Sequence, residues 1–190
     1  DSLQCIAAEY SKCDSSIGGV AGLDATYGGK VIGSGLAQDF IECNSMDIRF
    51  KHRVTGDLAE VFKTCVMREF PFPEVEGEKF CPEALVWSRI AHKYKLRYFN
   101  KVIYIAEYQD GGLTDNIVRV RRQSPVASTT YYAELLSSDI PWGQKLKAAI
   151  NYWRFRLCCK KFSRVPQLPL LWNAVWPLGW LMHLRDLHSS

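Results

Sequence analysis

The sequence predicts an α/β domain, a sheet with flanking helices, followed by a helical tail. Three observations carry that expectation. Apolar strand-like runs alternate with helix-like segments over the first two thirds of the chain. The run KLRYFNKVIYIAEY (95–108) is dense in Tyr, Phe, Val and Ile, as a buried strand is. Beyond Asn116 the texture changes, and RVRRQSP (119–125) is basic and breaks at proline, so the chain divides into 1–118 and 119–190.

In order along the chain, residues 1–13 read as a short amphipathic helix with Leu3, Ile6, Ala7 and Tyr10 on one side. IGGVAGL (17–23) suits a buried strand; DATYGGK supplies turn chemistry and VIG resumes, which predicts a hairpin. MDIRFKHRV (46–54) alternates apolar and charged residues and reads as a strand, with His52 on its apolar face as a satisfied, partly buried histidine. LAEVFKTCVMREF passes from strand into short helix and is stopped by the prolines of PFPE. A helix starts near Pro82, and QDGGLTDN after the 95–108 strand is a turn. In the tail, Leu146, Ile150, Trp153 and Leu157 form one helical stripe within 142–162.

Composition narrows the class. Hydrophobic residues are 47% and charged residues 23% of the 190, enough apolar matter for a packed core. From Pro141 to Ser190 there are eight Lys/Arg and one acidic residue, whereas the other 140 residues hold sixteen basic and nineteen acidic ones. The chain is a mildly acidic body with a basic tail. Seven scattered cysteines, without a CxxC pair or zinc-like spacing to the four histidines, read as free thiols in a reducing compartment, so a cytoplasmic location is expected. The opening DSLQCIAAEY has neither a basic start nor an apolar run, and so is no signal peptide; it begins as if in mid-helix, which suggests residues upstream.

The segment FPEVEGEKFCPEALVWSRIA (72–91) places Glu74, Glu76, Glu78 and Glu83 within ten residues, where a loop becomes a helix. Pro82 suits a first helical position, and the helix N-terminus favours an ionised carboxylate at Glu83. A glutamate there stabilises a helix without any chemistry. It also suits a general base if substrate sits beyond the helix end. Trp87 and Ile90 share its face by spacing, and Trp87 suits either core packing or stacking on a sugar ring.

This run resembles the second half of the catalytic domain of family 2 glycosyltransferases. Those enzymes open a helix with a Glu-Asp pair and place an arginine six residues beyond the Asp; the matching residues here are Pro82, Glu83 and Arg89. A bacterial subgroup carries text similar to FPEVEGEKFCPEALVWSRIA and YIAEYQDGGLTDN. The likeness covers roughly residues 1–120 and is most specific over 70–116. It implies a partial GT-A sheet, Rossmann-like, of the nucleotide-diphospho-sugar transferases. It implies Glu83 as catalytic base and Glu78, Lys79, Trp87 and Asp110 as substrate contacts. Asp110 and Asn116 stand in the turn that would face the diphosphate or metal, where a plain turn role also fits.

The implied reaction is inverting transfer of a sugar from a nucleotide sugar to a sugar or lipid-linked acceptor, in cell-surface polysaccharide assembly. Departures accompany the likeness. Pro82 replaces the usual Glu, Glu83 the usual Asp, and no DxD motif occurs. The complete enzyme is expected to use Mg or Mn, for which this chain shows no ligands, and the chain alone is expected to be inactive. The alternative is a non-catalytic half-domain that binds a partner chain or a membrane.

The tail offers that membrane function. Seven Lys/Arg lie between Trp142 and Arg164, and Trp172, Trp176 and Trp180 follow at i, i+4, i+8. This pattern suits peripheral attachment to the inner membrane face, or else a stripe packed back on the body. The apolar run 168–184 is broken by Pro177 and Gly179 and is too short to span. Basic and aromatic residues interleave in NYWRFRLCCKKF, but the acidic body and the lack of a recognised motif argue against nucleic acid.

Overall fold

A computed structural model describes residues 1–160 and 165–188. It forms two compact units, one of residues 1–71 and 86–108, the other of 72–85 and 109–190. The expected junction at 118/119 falls within the helix Ile117–Gln123.

The first unit holds a four-stranded mixed sheet. Its strands are β1 (Ile17–Ala25), β2 (Phe40–Cys43), β3 (Leu58–Phe62) and β4 (Lys95–Ile105), in the order β2-β4-β1-β3. β1 runs parallel to β4 and antiparallel to β3, and β2 is antiparallel to β4. β1 is buried along its whole length, as its unbroken apolar run leads one to expect. A Cβ on Gly19 would come within 2.3 Å of the Val61 carbonyl oxygen, so the close approach of β3 requires glycine there.

Side-chain alternation along β4 separates two cores. Leu96 and Tyr98 join Leu23, Ile41, Ile48 and Leu58 on one face. Phe99 and Ile103 join Val20 on the other, where Cys5 and Ile6 of α1 (Ser2–Tyr10) pack. Val66 of α3 (Thr64–Glu69) and Val86 and Ile90 of α4 (Glu83–Ala91) make a third cluster with Phe62 and Trp87.

Three local expectations are corrected. First, α1 forms, but its inward residue is Glu9, while Leu3 and Tyr10 are exposed. Arg97 of β4 donates from Nε to Glu9 at 2.9 Å and from Nη1 to Glu42 at 2.6 Å, so of the expected stripe only Ile6 packs on the core, beside a buried ion pair. Second, residues 46–54 are not a strand. Ser45–Phe50 is helix α2, started by Asn44, whose side chain accepts from the amides of Met46 and Asp47. Only Ile48 and Val54 of that segment are buried, and His52 is exposed. The helix ends at Phe50 with Lys51 as its C-cap, and Arg53, in the turn beyond, has a φ of 56° in the left-handed region. Third, the turn after β1 closes with the single bridge Ala25–Val31 and does not extend into a second strand.

The second unit is helical: α5 (Ile117–Gln123), α6 (Pro125–Ser137), α7 (Trp142–Arg156), a 3-10 segment Leu170–Val175 and α8 (Trp176–His188). α7 packs against α6, α8 and the 3-10 segment. Tyr132 stacks on Phe155 with centroids 5.9 Å apart, and the Trp153 indole donates to the Trp172 carbonyl oxygen. A Cβ on Gly179 would lie 2.4 Å from Trp153 Cβ, which shows how tightly α8 seats on α7.

The buried face of α7 differs from the expected stripe. Ala148, Ala149, Tyr152, Arg154, Phe155 and Arg156 are buried, whereas Leu146, Ile150, Trp153 and Leu157 are half-buried. Lys161 and Arg164, also counted in the basic run, lie outside the described residues. The tryptophan stripe is interrupted as well, because Trp172 belongs to the 3-10 segment and is buried, while Trp176 and Trp180 on α8 stack partly exposed. No helix among the described residues is long and apolar enough to cross a membrane.

Candidate functional site

The carboxylate-rich segment resolves into glutamates with different employments. Glu78 is a structural ligand of α6: its two carboxylate oxygens accept from the amides of Val126 at 2.6 Å and Ala127 at 2.9 Å. Ser124, at the N-cap position, makes no capping bond of its own. Its hydroxyl accepts instead from the Phe80 amide at 3.2 Å. Residues 78–80 thus clamp onto the start of α6, where the free amides and the helix dipole favour a negative charge.

Glu83 has a different setting. It is the first residue of α4, follows Pro82 and is exposed. It has no hydrogen bond or ion pair with another side chain among the described residues. The Pro82 carbonyl accepts from Leu85 at 2.9 Å and closes the first turn.

Lys79 and Asp110 are exposed and likewise without a partner among the described residues. The turn that carries Asp110 is held by its neighbours. Asp115 accepts from the Gly111 amide, and the Asn116 side chain donates to the carbonyls of Gly111 and Gly112. Asn116 is therefore committed to its own turn. Trp87 stands in the first unit and packs on Phe62 with centroids 4.4 Å apart, among Val66, Val86 and Ile90. Its ring is half-buried in that cluster, which is the core role its spacing allowed.

Glu78 borders a cavity of about 420 Å³ with Arg122, Gln123, Val126 and Cys158; Lys79, Glu83 and Asp110 are not among the residues lining it.

Sequence reasoning passed over a polar group at the C-terminal end of β1. Asp24 is buried, and its Oδ1 has no hydrogen-bond partner among the described residues. Burial, and then the charge of Asp57, push its carboxyl above the ordinary range. Asp57 in turn accepts a hydrogen bond from the Tyr108 hydroxyl. An aspartate ending an apolar strand was the available signal.

Among the described residues no group of three His, Cys, Asp or Glu side chains is placed to hold a metal ion. Asp24 and Asp57 alone do not make up such a set. The seven cysteines are all free thiols.

Comparison with protein-family models, with curated proteins and with solved structures returns no match.

Proposed function

We propose that this chain is the acceptor-side part of an inverting glycosyltransferase that moves a sugar from a nucleotide sugar to a sugar or lipid-linked acceptor. One observation carries the reading: Glu83 is an exposed carboxylate at the start of a helix, with no ion pair among the described residues. The parallel pairing of β1 and β4 within a mixed sheet is compatible with the partial GT-A, Rossmann-like sheet that this reading requires.

In this mechanism the Glu83 carboxylate accepts the hydroxyl proton of the acceptor as that oxygen attacks the anomeric carbon. The new C–O bond forms on the face opposite the leaving nucleoside diphosphate, whose bond to the sugar breaks, and the configuration inverts. The longer side chain of Glu relative to Asp shifts the reach by one methylene and keeps the chemistry. The test is sugar transfer by the whole gene product, with Glu83→Gln compared to the parent.

A second reading has its own observation. Leu170, Leu171, Leu178 and Leu181 are 87%, 70%, 48% and 56% exposed, with Trp176 and Trp180 beside them in sequence and also partly exposed. Such residues suit insertion at a membrane interface. The basic contribution is smaller than the sequence suggested, because Arg154 and Arg156 are buried. In this reading the tail is a peripheral membrane anchor and the chain a non-catalytic module. Co-sedimentation with anionic vesicles tests it: Leu171→Glu with Leu181→Glu should abolish binding, and unchanged binding removes the membrane role.

A further inference from the structure

The arginines of α5 serve two purposes. Arg121 turns toward α6, where its guanidinium lies 5.7 and 5.5 Å from the ring centroids of Tyr131 and Tyr132 and donates to the Tyr132 hydroxyl. Arg119 and Arg122 are three residues apart, on one face of the helix. They border a cavity of about 490 Å³ together with Gln123, Cys158, His183 and Leu187.

No carboxylate lines that cavity. Burial keeps the Cys158 thiol above its ordinary range, against the pull of the Arg122 hydrogen bond, so this wall adds no negative charge. His183 Nδ1 lies 3.2 Å from the Arg154 carbonyl oxygen and 3.6 Å from Cys158 Sγ. Arg122 is anchored by donation from Nη1 to the Asp186 carbonyl oxygen at 2.8 Å. The Asp186 carboxylate is itself occupied by two hydrogen bonds from Arg154. Arg119 is exposed and has no hydrogen bond or ion pair among the described residues.

The cavity continues on both sides. A space of about 580 Å³ shares Arg119 and is lined by Asn116, Arg154 and Arg185 and by two carboxylates, Asp115 and Asp186, which are held by the Gly111 amide and by Arg154. The space bordered by Glu78 shares Arg122, Gln123 and Cys158. Arg119 and Arg122 therefore sit at the middle of one groove. A guanidinium fork matches the spacing of phosphoryl oxygens, and two of them offset the double charge of a phosphate; a carboxylate satisfies only one.

We propose that this groove binds a phosphoryl group, as a phosphate monoester or diphosphate, held by Arg119 and Arg122 with Gln123 as a neutral donor. Glu83 does not line these spaces and the binding does not require sugar transfer, so its failure and the failure of that reading are separate results. The phosphoryl group is either that of a soluble compound or that of a lipid headgroup.

The experiment titrates the full 190-residue chain with inorganic pyrophosphate by calorimetry. In parallel, the chain is sedimented with phosphatidylcholine vesicles, with and without phosphatidate. Saturable pyrophosphate binding weakened at least about tenfold by Arg119→Ala, the loss of one charge-assisted contact, supports a soluble ligand. Binding to phosphatidate vesicles alone, reduced by the same substitution, supports a lipid headgroup. Arg119 is exposed, so its variant keeps the fold, and Arg122→Lys provides a second variant that retains the charge but loses the fork. Absence of binding in both arms, or binding indifferent to both substitutions, overturns the proposal.

Discussion

Arg154 holds Asp186 by two hydrogen bonds, Nε to Oδ2 at 2.6 Å and Nη2 to Oδ1 at 2.7 Å, with both side chains buried. This pair joins the end of α7 to the end of α8. Asp186→Ala leaves a guanidinium buried without its counter-charge and should destabilise the second unit by about 3–5 kcal/mol. The double variant Arg154→Met, Asp186→Leu should lose much less. Five of the six tryptophans lie in this unit, so denaturant unfolding followed by tryptophan fluorescence reads both losses.

Glu78 and α6 form a second joint. Glu78→Ala removes the acceptor for two first-turn amides and should cost about 1–2 kcal/mol, the range of a lost helix cap. Glu78→Gln, which keeps one acceptor oxygen, should cost less. The Val126 and Ala127 amides should lose hydrogen-exchange protection in Glu78→Ala before those in the middle of α7. Equal exchange in parent and variant contradicts the capping role.

Two carboxylates of the first unit should give opposite pH responses. Burial pushes the Glu9 carboxyl up, but hydrogen bonds from Lys12 and Arg97 outweigh it and hold the group below its ordinary 4.5. Its stabilisation is present above the unfolded value and lost as pH falls through the folded one, so Glu9→Gln should flatten an acid limb below about 4.5. Asp24 is shifted upward from 3.8. The folded state then binds the extra proton, and stability falls as pH rises from 3.8 toward the folded value. Asp24→Asn should abolish that fall and raise stability at neutral pH. Exchange of the β1 and β4 amides against pH measures both.

The contact of α8 with α7 leaves no room at Gly179. A methyl group there meets Trp153 Cβ at 2.4 Å and the Ile150 carbonyl oxygen at 2.9 Å. Gly179→Ala should therefore destabilise by about 1–3 kcal/mol, although alanine is the better helix former. A thermal melt showing stabilisation would contradict the packing described.

Elements whose burial is set locally were legible in the sequence. β1 and β4 announce themselves as apolar runs, and Pro82 marks the start of α4. Elements whose burial is set by a distant partner were not. Glu9 turns inward because Arg97 waits on β4, and Arg154 because Asp186 waits on α8; a periodicity reading assigns both charges to solvent. Residues 46–54 alternate well enough to imitate a strand, but the Asn44 cap starts a helix there. The position of Glu83 at the start of α4 was legible from its place after Pro82. The capping role of Glu78 was not, since the amides it binds lie 48 and 49 residues away. The Arg119–Arg122 groove was hidden in a basic run, although the spacing of its two arginines was a readable sign.

The proposed function stands or falls on Glu83. The most direct measurement is release of nucleoside diphosphate from UDP- and GDP-linked hexoses by the whole gene product, with and without a glycan or lipid-linked acceptor. The account expects acceptor-dependent release that falls by about 10²–10⁴-fold in Glu83→Gln, the usual contribution of a general base, and that partly survives in Glu83→Asp. Release that is unchanged in Glu83→Gln would contradict it.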